Sequence, residues 1–260
     1  MRHLSGLFLA LVLFGLGGEA LAQISDINSA INKAGRQRML SQRMAKVYFQ
    51  IGQQIEVDRS KKLLDDSLSL FDRQLVELKN YSPTPEIRET YQQLEKSWIA
   101  YKDVLLGTAP AKENGRKVLE LSETVLGLAN QGTVQLEKHA GSNAGRLVNI
   151  SGRQRMLSQR MAKFYQAQAW GVGTDKSGAD LDKARKEFAS AHQELSGSPS
   201  NTSKIKESLE LVNQQWFFFE TALGQKAGAD KRPQTAVATT SERILEEMDA
   251  VVGLYEKLPK

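Results

Sequence analysis

The chain contains no cysteine among its 260 residues, which excludes disulfides, thiolate metal sites and thiol nucleophiles. Its three histidines are far apart, no phosphate-binding loop is present, and no obvious acid–base pair stands out. No segment alternates with the two-residue period of a strand. These absences predict an all-α protein that is not an enzyme and holds no metal or cofactor.

Long hydrophobic runs are also missing after the first 22 residues. Arg2 and His3 form a short positive n-region, residues 4–16 are an apolar h-region, and residues 20–22 have the small-x-small pattern of a signal peptidase site. We therefore expect residues 1–22 to be a cleaved signal peptide and the mature protein to be soluble and periplasmic. The h-region is short for a membrane span, so a retained N-terminal anchor is the less favoured alternative.

One stretch of twelve residues, GRQRMLSQRMAK, occurs twice without a change, at 35–46 and at 152–163. Each copy of this dodecamer has three arginines and a lysine but no acid. The two copies together carry +8 whereas the whole chain carries +5, so the rest of the protein is slightly acidic. Because the positive charge is concentrated in the repeated element and not spread over the protein, we expect no nucleic-acid partner.

The dodecamer begins each of two similar halves of the chain. In each half, apolar residues recur at three- and four-residue spacings in four segments, which loops containing glycine or proline separate. The first segment spans about residues 26–56, and residues 57–60 are its predicted junction with the second. The offset between the halves grows from 117 residues at the dodecamers to 119 at the final Glu-Lys pairs, as loop-length changes in a duplicated unit produce. We expect two tandem antiparallel four-helix bundles, residues 23–140 and 141–260.

The first dodecamer has two apolar stripes when it is placed on a helix with ~100° per residue. One stripe faces its own bundle, and the second includes Ile31, Ala34 and Phe49, with Arg38 at its centre. Arg155 holds the same place in the second copy. A helix with two apolar sides buries both, so we expect the two dodecamer helices to pack on each other in an internal pseudo-dimer. An end-to-end arrangement of the bundles is the alternative.

An arginine at the centre of a buried stripe needs a counter-charge, because burying an unpaired guanidinium costs about several kcal/mol. The dodecamer offers no acid, and two such arginines that meet would repel each other unless an anion lay between them. Guanidinium groups suit planar oxyanions, to which they donate parallel hydrogen bonds. Gly35 and Gly152, one turn earlier, leave room for close helix approach or for a ligand. The simpler alternative is that Arg38 and Arg155 reach solvent or pair with an acid of another helix.

The residues around the dodecamer also resemble a known signature. The string I-N-x-A-G-x-x-R-M-x-S-x-R, which begins at Ile31, is similar to that of the PilJ/NarX-type sensor domain. That domain is a periplasmic four-helix bundle of nitrate/nitrite sensor kinases and of type IV pili chemoreceptors. The resemblance implies that two first helices meet and hold one nitrate between the motif's arginines and adjoining backbone. The positions that match are Arg38 and Arg155 for the arginines and Gly35 and Gly152 for the glycines.

Together these features predict an exported binding or sensory protein for a small inorganic oxyanion, nitrate first and nitrite second. Supporting roles are assigned to Arg43, Arg160, Arg36, Arg153, Ser41 and Ser158. Relatives usually continue into membrane and signalling segments, whereas this sequence ends at Lys260, so we expect a membrane-bound signalling or transport partner. The chain is expected to be a monomer with an internal pseudo-dimer, or a homodimer. The alternative function is a ligand-free helical module whose basic helices dock an acidic protein or an anionic membrane surface.

Overall fold

The computed structural model describes residues 24–107 and 109–258, which form eight α-helices and no strand. The predicted signal peptide, residues 1–22, lies outside the described residues. The helices are α1 (Ile27–Gly52), α2 (Val57–Tyr81), α3 (Pro85–Gly107), α4 (Lys112–Ala140), α5 (Asn143–Trp170), α6 (Ser177–Ser196), α7 (Ser203–Leu223) and α8 (Arg232–Glu256). The predicted all-α fold of tandem helical bundles is confirmed.

Each half of the chain forms one four-helix bundle. In the first half α1 packs against α2 and α4, and α3 packs against α4; α5 to α8 repeat these contacts in the second half. The cores repeat as well, since Phe71 stacks on Trp98 with ring centroids 4.0 Å apart, and Phe188 stacks on Trp216 at 4.4 Å. The two halves are therefore copies of one packing unit.

The two bundles lie side by side and join along α1 and α5, which run parallel to each other. Gly35 lies against Gly152 in the first half of these helices, and Gly52 lies against Trp170 at their ends. The second apolar stripe of α1, which includes the fully buried Ala34, is covered by this contact. Because equivalent residues meet, a pseudo-two-fold axis runs along the α1–α5 contact, which we call the seam.

A glycine turn places α5 beside α1. Gly141, directly after α4, has a φ of 60°, in the left-handed region that favours glycine at a helix C-terminus. Ser142 then caps α5, and its Oγ accepts a hydrogen bond from the amide of Gly145 at 3.1 Å. Because only two residues separate the helices, α5 begins next to the end of α4. It then runs antiparallel to α4 and parallel to α1.

The predicted end of the first helix is wrong. α1 ends at Gly52, not near residue 56, and Val57 is the first residue of α2 and not part of a junction. The turn between them contains Gln54 and Glu56 at φ values of 60° and 41°, which are uncommon for residues other than glycine. The turn itself contains no glycine or proline, so Gly52 at the end of α1 is the only local signal for its position.

Candidate functional site

The centre of the seam is a narrow gap between the backbones of Gly35 and Gly152. A methyl carbon built on Gly35 would lie 3.8 Å from the Cα of Gly152, 3.3 Å from Nη2 of Arg38 and 3.6 Å from Nη2 of Arg155. The same carbon on Gly152 would lie 3.4 Å from Arg155 Nη2 and 3.5 Å from Arg38 Nη2. The structure thus brings together the four residues that the sequence singled out, and both guanidinium groups converge on the gap.

Arg38 is fully buried and bonds only to neutral oxygen atoms. Its Nη1 donates to Oδ1 of Asn130 on α4 at 3.0 Å, and its Nη2 donates to the carbonyl oxygen of Asn149 on α5 at 3.2 Å. Its Nε has no partner. Within the described residues, no carboxylate lies at ion-pair distance from Arg38, so its charge has no counter-charge in contact.

Arg155, equally buried, has a counter-charge. Its Nη1 donates to the carboxylate of Asp249 on α8, and its Nη2 donates to Oδ1 of Asn32 on α1 at 2.8 Å. Asp249 also accepts from Arg36 at 2.8 Å. The simpler alternative from the sequence, pairing with an acid of another helix, therefore holds for Arg155 but not for Arg38.

Both guanidinium groups remain charged at neutral pH. Burial, together with the charges of Arg153 and Arg155, lowers the pKa of Arg38 to about 9. Burial also lowers the pKa of Arg155 to about 10, although the charge of Asp249 opposes this effect. Since both pKa values lie well above 7, the seam carries positive charge that is least compensated around Arg38.

Two asparagines one turn before the glycines complete the site. Asn32 donates from Nδ2 to Glu256 at 2.6 Å, and Asn149 donates from Nδ2 to Glu137. These bonds fix the amide orientations, so that Oδ1 of Asn32 accepts from Arg155. The buried Oδ1 of Asn149, in contrast, has no partner. The two half-sites are therefore alike in layout but not in bonding.

The remaining dodecamer cations lie in two reciprocal ion clusters away from the gap. Arg43 and Lys46 of α1 both pair with Glu242 of α8 in the other bundle. The matching cluster consists of Arg160 and Lys163 of α5 with Glu123 of α4. Although burial opposes its ionisation, Lys46 and Arg43 lower the pKa of Glu242 to about 2. These clusters link the two bundles, so Arg43 and Arg160 hold the seam together and do not line the gap.

The other supporting residues divide into two groups. Ser41 Oγ donates to the carbonyl oxygen of Arg38 at 2.8 Å, and Ser158 Oγ donates to that of Arg155 at 2.9 Å. Both serines therefore bond within their own helices and do not reach the gap. Arg36 lies beside the gap because it pairs with Asp249, which also pairs with Arg155. Arg153 lies close enough to Arg38 to lower the pKa of Arg38.

A cleft of about 340 Å³ opens between α4, α5 and α6, next to Arg38. Asn130 and Arg153 line it, together with Glu123, Arg160 and Glu187. Asn130 also accepts the hydrogen bond from Arg38, so this one amide stands between the buried guanidinium and the cleft.

Sequence reasoning missed the acids and amides that α4 and α8 contribute. These residues are Glu123 and Asn130 in the first half and Glu242 and Asp249 in the second. Glu123 and Glu242 are 119 residues apart, and so are Asn130 and Asp249. This is the offset already seen at the final Glu-Lys pairs. Alignment of the fourth helices of the two halves was therefore the signal that could have found them.

An all-α chain whose two bundles join along a buried basic seam belongs to the class of tandem helical-bundle proteins. The PilJ family model, described as the type IV pili methyl-accepting chemotaxis transducer N-terminal domain, matches residues 20–122 and again residues 139–243. The chain therefore belongs to the PilJ family, with two regions that match its model, which confirms the resemblance seen in the sequence. Domains of this family are typically periplasmic sensor domains of chemoreceptors, which supports a sensory role.

Two further comparisons bear on the assignment. No curated protein and no solved structure matches the chain significantly. Among the helices that the structure describes, none has the length and hydropathy of a membrane span.

Proposed function

We propose that this chain is an exported, periplasmic sensory protein that binds one small inorganic oxyanion between Arg38 and Arg155, nitrate first and nitrite second. The observation that carries the proposal is the state of Arg38, which is fully buried, charged and bonded only to neutral oxygen atoms. Burial of a charge without a counter-charge costs on the order of several kcal/mol. An anion in the gap would supply the missing counter-charge.

The shape and charge of the gap favour a small monovalent anion. The two glycines bring the helix backbones so close that a methyl carbon added to Gly35 would lie 3.3 Å from Nη2 of Arg38 and 3.6 Å from Nη2 of Arg155, so only a small ligand can lie near both groups. A planar oxyanion can accept from both guanidinium groups through different oxygen atoms. Asp249 already pairs with Arg155, so a monovalent anion would supply the counter-charge that Arg38 does not have.

Anion binding would be felt in both bundles, which suits a sensor. Arg38 contacts α4 of its own bundle and α5 of the other, and Arg155 contacts α8 of its own bundle and α1 of the other. An anion held by both side chains would therefore bias how the bundles pack along the seam. A membrane-bound signalling or transport partner would respond to that packing.

The alternative function, a basic helical surface that docks an acidic protein or a membrane, draws less support. Lys46 and Lys163 are fully buried, and Arg43 and Arg160 are mostly buried and paired with acids. The dodecamers therefore present no continuous basic face on which an acidic partner could dock.

Calorimetry of the chain without residues 1–22, titrated with nitrate and then nitrite in chloride-free buffer, tests the proposal. We expect saturable binding of one nitrate per chain, and loss of that binding in the double variant Arg38→Ala/Arg155→Ala. The matched control is Arg59→Ala/Arg146→Ala, which removes two half-exposed arginines and is expected to bind as the wild type does.

Stoichiometry separates the possible assemblies. Binding of one nitrate per two chains would indicate that the site lies between two chains and not within the internal pseudo-dimer. No heat with either anion, together with an unchanged melting temperature, would refute the proposed function.

A further inference from the structure

Among the side chains that bond to the two buried arginines, the residue type differs between the halves at one pair of equivalent positions, Asn130 on α4 and Asp249 on α8. Each contacts the Nη1 atom of the buried arginine of its own bundle. In one half that contact is a neutral amide and in the other it is a carboxylate. The sequence is identical over the twelve residues of the dodecamer, so this difference comes entirely from the fourth helix of each bundle.

This single difference divides the charge of the seam unequally. Asp249 bonds to both Arg155 and Arg36, so its carboxylate is shared by two cations. At the equivalent place, Arg38 has the amide of Asn130, and within the described chain neither Arg38 nor Arg153 is at ion-pair distance from an acid. The half of the seam around Arg38 therefore attracts an anion more strongly than the half around Arg155.

The same half of the seam is also the one beside the cleft. Asn130 is half-buried, and it lines the cleft together with Arg153. Because its Oδ1 accepts from Arg38, its Nδ2 is left as a hydrogen-bond donor, and it bonds to no described residue. A carboxylate at this position would offer no donor and would repel an anion.

We propose that the anion is bound off the pseudo-two-fold axis, against Arg38 and Asn130, and reaches them through the cleft past Arg153. Asp249 is the permanent counter-ion that occupies the equivalent half-site. This inference rests on the proposed function and deepens it. It makes Asn130 a ligand-contacting residue and limits each chain to one anion.

Two substitutions, one that adds a carboxylate at Asn130 and one that removes the carboxylate of Asp249, test the inference. Nitrate in chloride-free buffer is the probe. Asn130→Asp would give Arg38 a carboxylate, and we expect nitrate affinity to fall about 100-fold or more, since a unit charge a few Å from the anion acts at an effective dielectric constant of ~20. Asp249→Asn would remove the competing carboxylate, and we expect affinity to rise about tenfold or more. Asn213→Asp on the exposed face of α7 is the control for added charge and is expected to bind nitrate as the wild type does.

The outcomes separate this inference from the proposed function. A wild-type chain that binds neither nitrate nor nitrite refutes the proposed function itself. A wild-type chain that binds nitrate while Asn130→Asp binds it equally well refutes only the off-axis site. Equal losses of affinity in Asn130→Asp and Asp249→Asn would likewise refute it, because they would show that the anion lies symmetrically between the halves.

Discussion

Replacing Glu242 with glutamine would remove the carboxylate that pairs with Lys46 and Arg43 across the seam. Lys46 is fully buried, and the side chain of Glu242 is only 4% exposed. The pKa of Glu242 falls from 4.5 to about 2 in the folded protein, and each pKa unit corresponds to about 1.36 kcal/mol. We therefore expect Glu242→Gln to lower the free energy of unfolding by about 3 kcal/mol, a magnitude typical of a broken buried ion pair.

The chain contains its own matched comparison, because Glu123 holds the equivalent position in the other cluster. Its side chain is 33% exposed, and Arg160 keeps a second acid, Asp180, at 3.9 Å. Water and Asp180 would therefore compensate part of the loss in Glu123→Gln. We expect that variant to lose only about 1 kcal/mol, as partly exposed pairs do.

The effect of pH gives an independent check on the same residue. Because the pKa of Glu242 is lower in the folded chain than its value of 4.5 in the unfolded chain, its stabilising contribution is complete above pH 4.5. It is lost as the pH falls from there through about 2. The difference in unfolding free energy between wild type and Glu242→Gln should therefore shrink to less than half between pH 7 and pH 3.

Urea unfolding followed by circular dichroism measures both quantities, provided that the m-values of the three proteins agree. Equal losses in Glu242→Gln and Glu123→Gln at pH 7 would contradict the burial argument. A deficit in Glu242→Gln that stayed constant from pH 7 to pH 3 would contradict the assignment of a paired, ionised carboxylate.

Three further predictions follow from the packing. Gly35→Ala should weaken nitrate binding at least about tenfold in calorimetry by filling the gap between the guanidinium groups, whereas Gly253→Ala, which meets nothing within 4 Å, should bind normally. Gly52→Ala should lower the unfolding free energy in urea by about 1–3 kcal/mol, because its methyl carbon would lie 2.1 Å from the Trp170 ring. Tyr91→Phe should leave the melting temperature unchanged or raise it, because the buried Tyr91 hydroxyl has no partner; a clear decrease would reveal a hidden hydrogen bond.

The helices and the seam could be predicted from the sequence because they depend on local periodicity. The apolar stripe that includes Ile31 and Ala34 is fully buried against α5, as the helical spacing indicated. A helical wheel also placed Arg38 and Arg155 on that stripe. Their partners could not be found in this way, since Asn130 lies 92 residues from Arg38 and Asp249 lies 94 residues from Arg155. Such contacts depend on how α4 and α8 pack.

The end of α1 could not be predicted for a different reason. Residues 53–56 contain no glycine or proline, and two of them, Gln54 and Glu56, adopt positive φ values. Bonds between neighbouring parts of the chain close this turn, since the amide of Ile55 donates to the carbonyl oxygen of Gln50 at 2.9 Å and Ser60 Oγ donates to Oε1 of Gln50 at 3.1 Å. The prediction failed because residues other than glycine adopt the left-handed conformation here, where glycine is the usual signal.

The identity of the two dodecamers has a structural reason that does not involve a ligand. Gln42 and Gln159 each donate to a serine carbonyl oxygen at 3.0 Å, one on α4 and one on α8. Lys46 and Lys163 each reach an acid of the neighbouring fourth helix. The pseudo-two-fold axis relates the two copies, which therefore meet nearly the same surroundings, so a substitution that fits one copy fits the other. Repetition alone is therefore weak evidence for an anion site.

An anion is favoured where this symmetry fails. A purely structural seam would be expected to give Arg38 the same carboxylate that Arg155 has, because an ion pair satisfies a buried guanidinium better than an amide does. The chain instead places Asn130 opposite Arg38 and beside a cleft, so that Arg38 has no carboxylate at ion-pair distance within the described residues. Burial of an unpaired charge is costly, and a small anion from solution would supply the counter-charge.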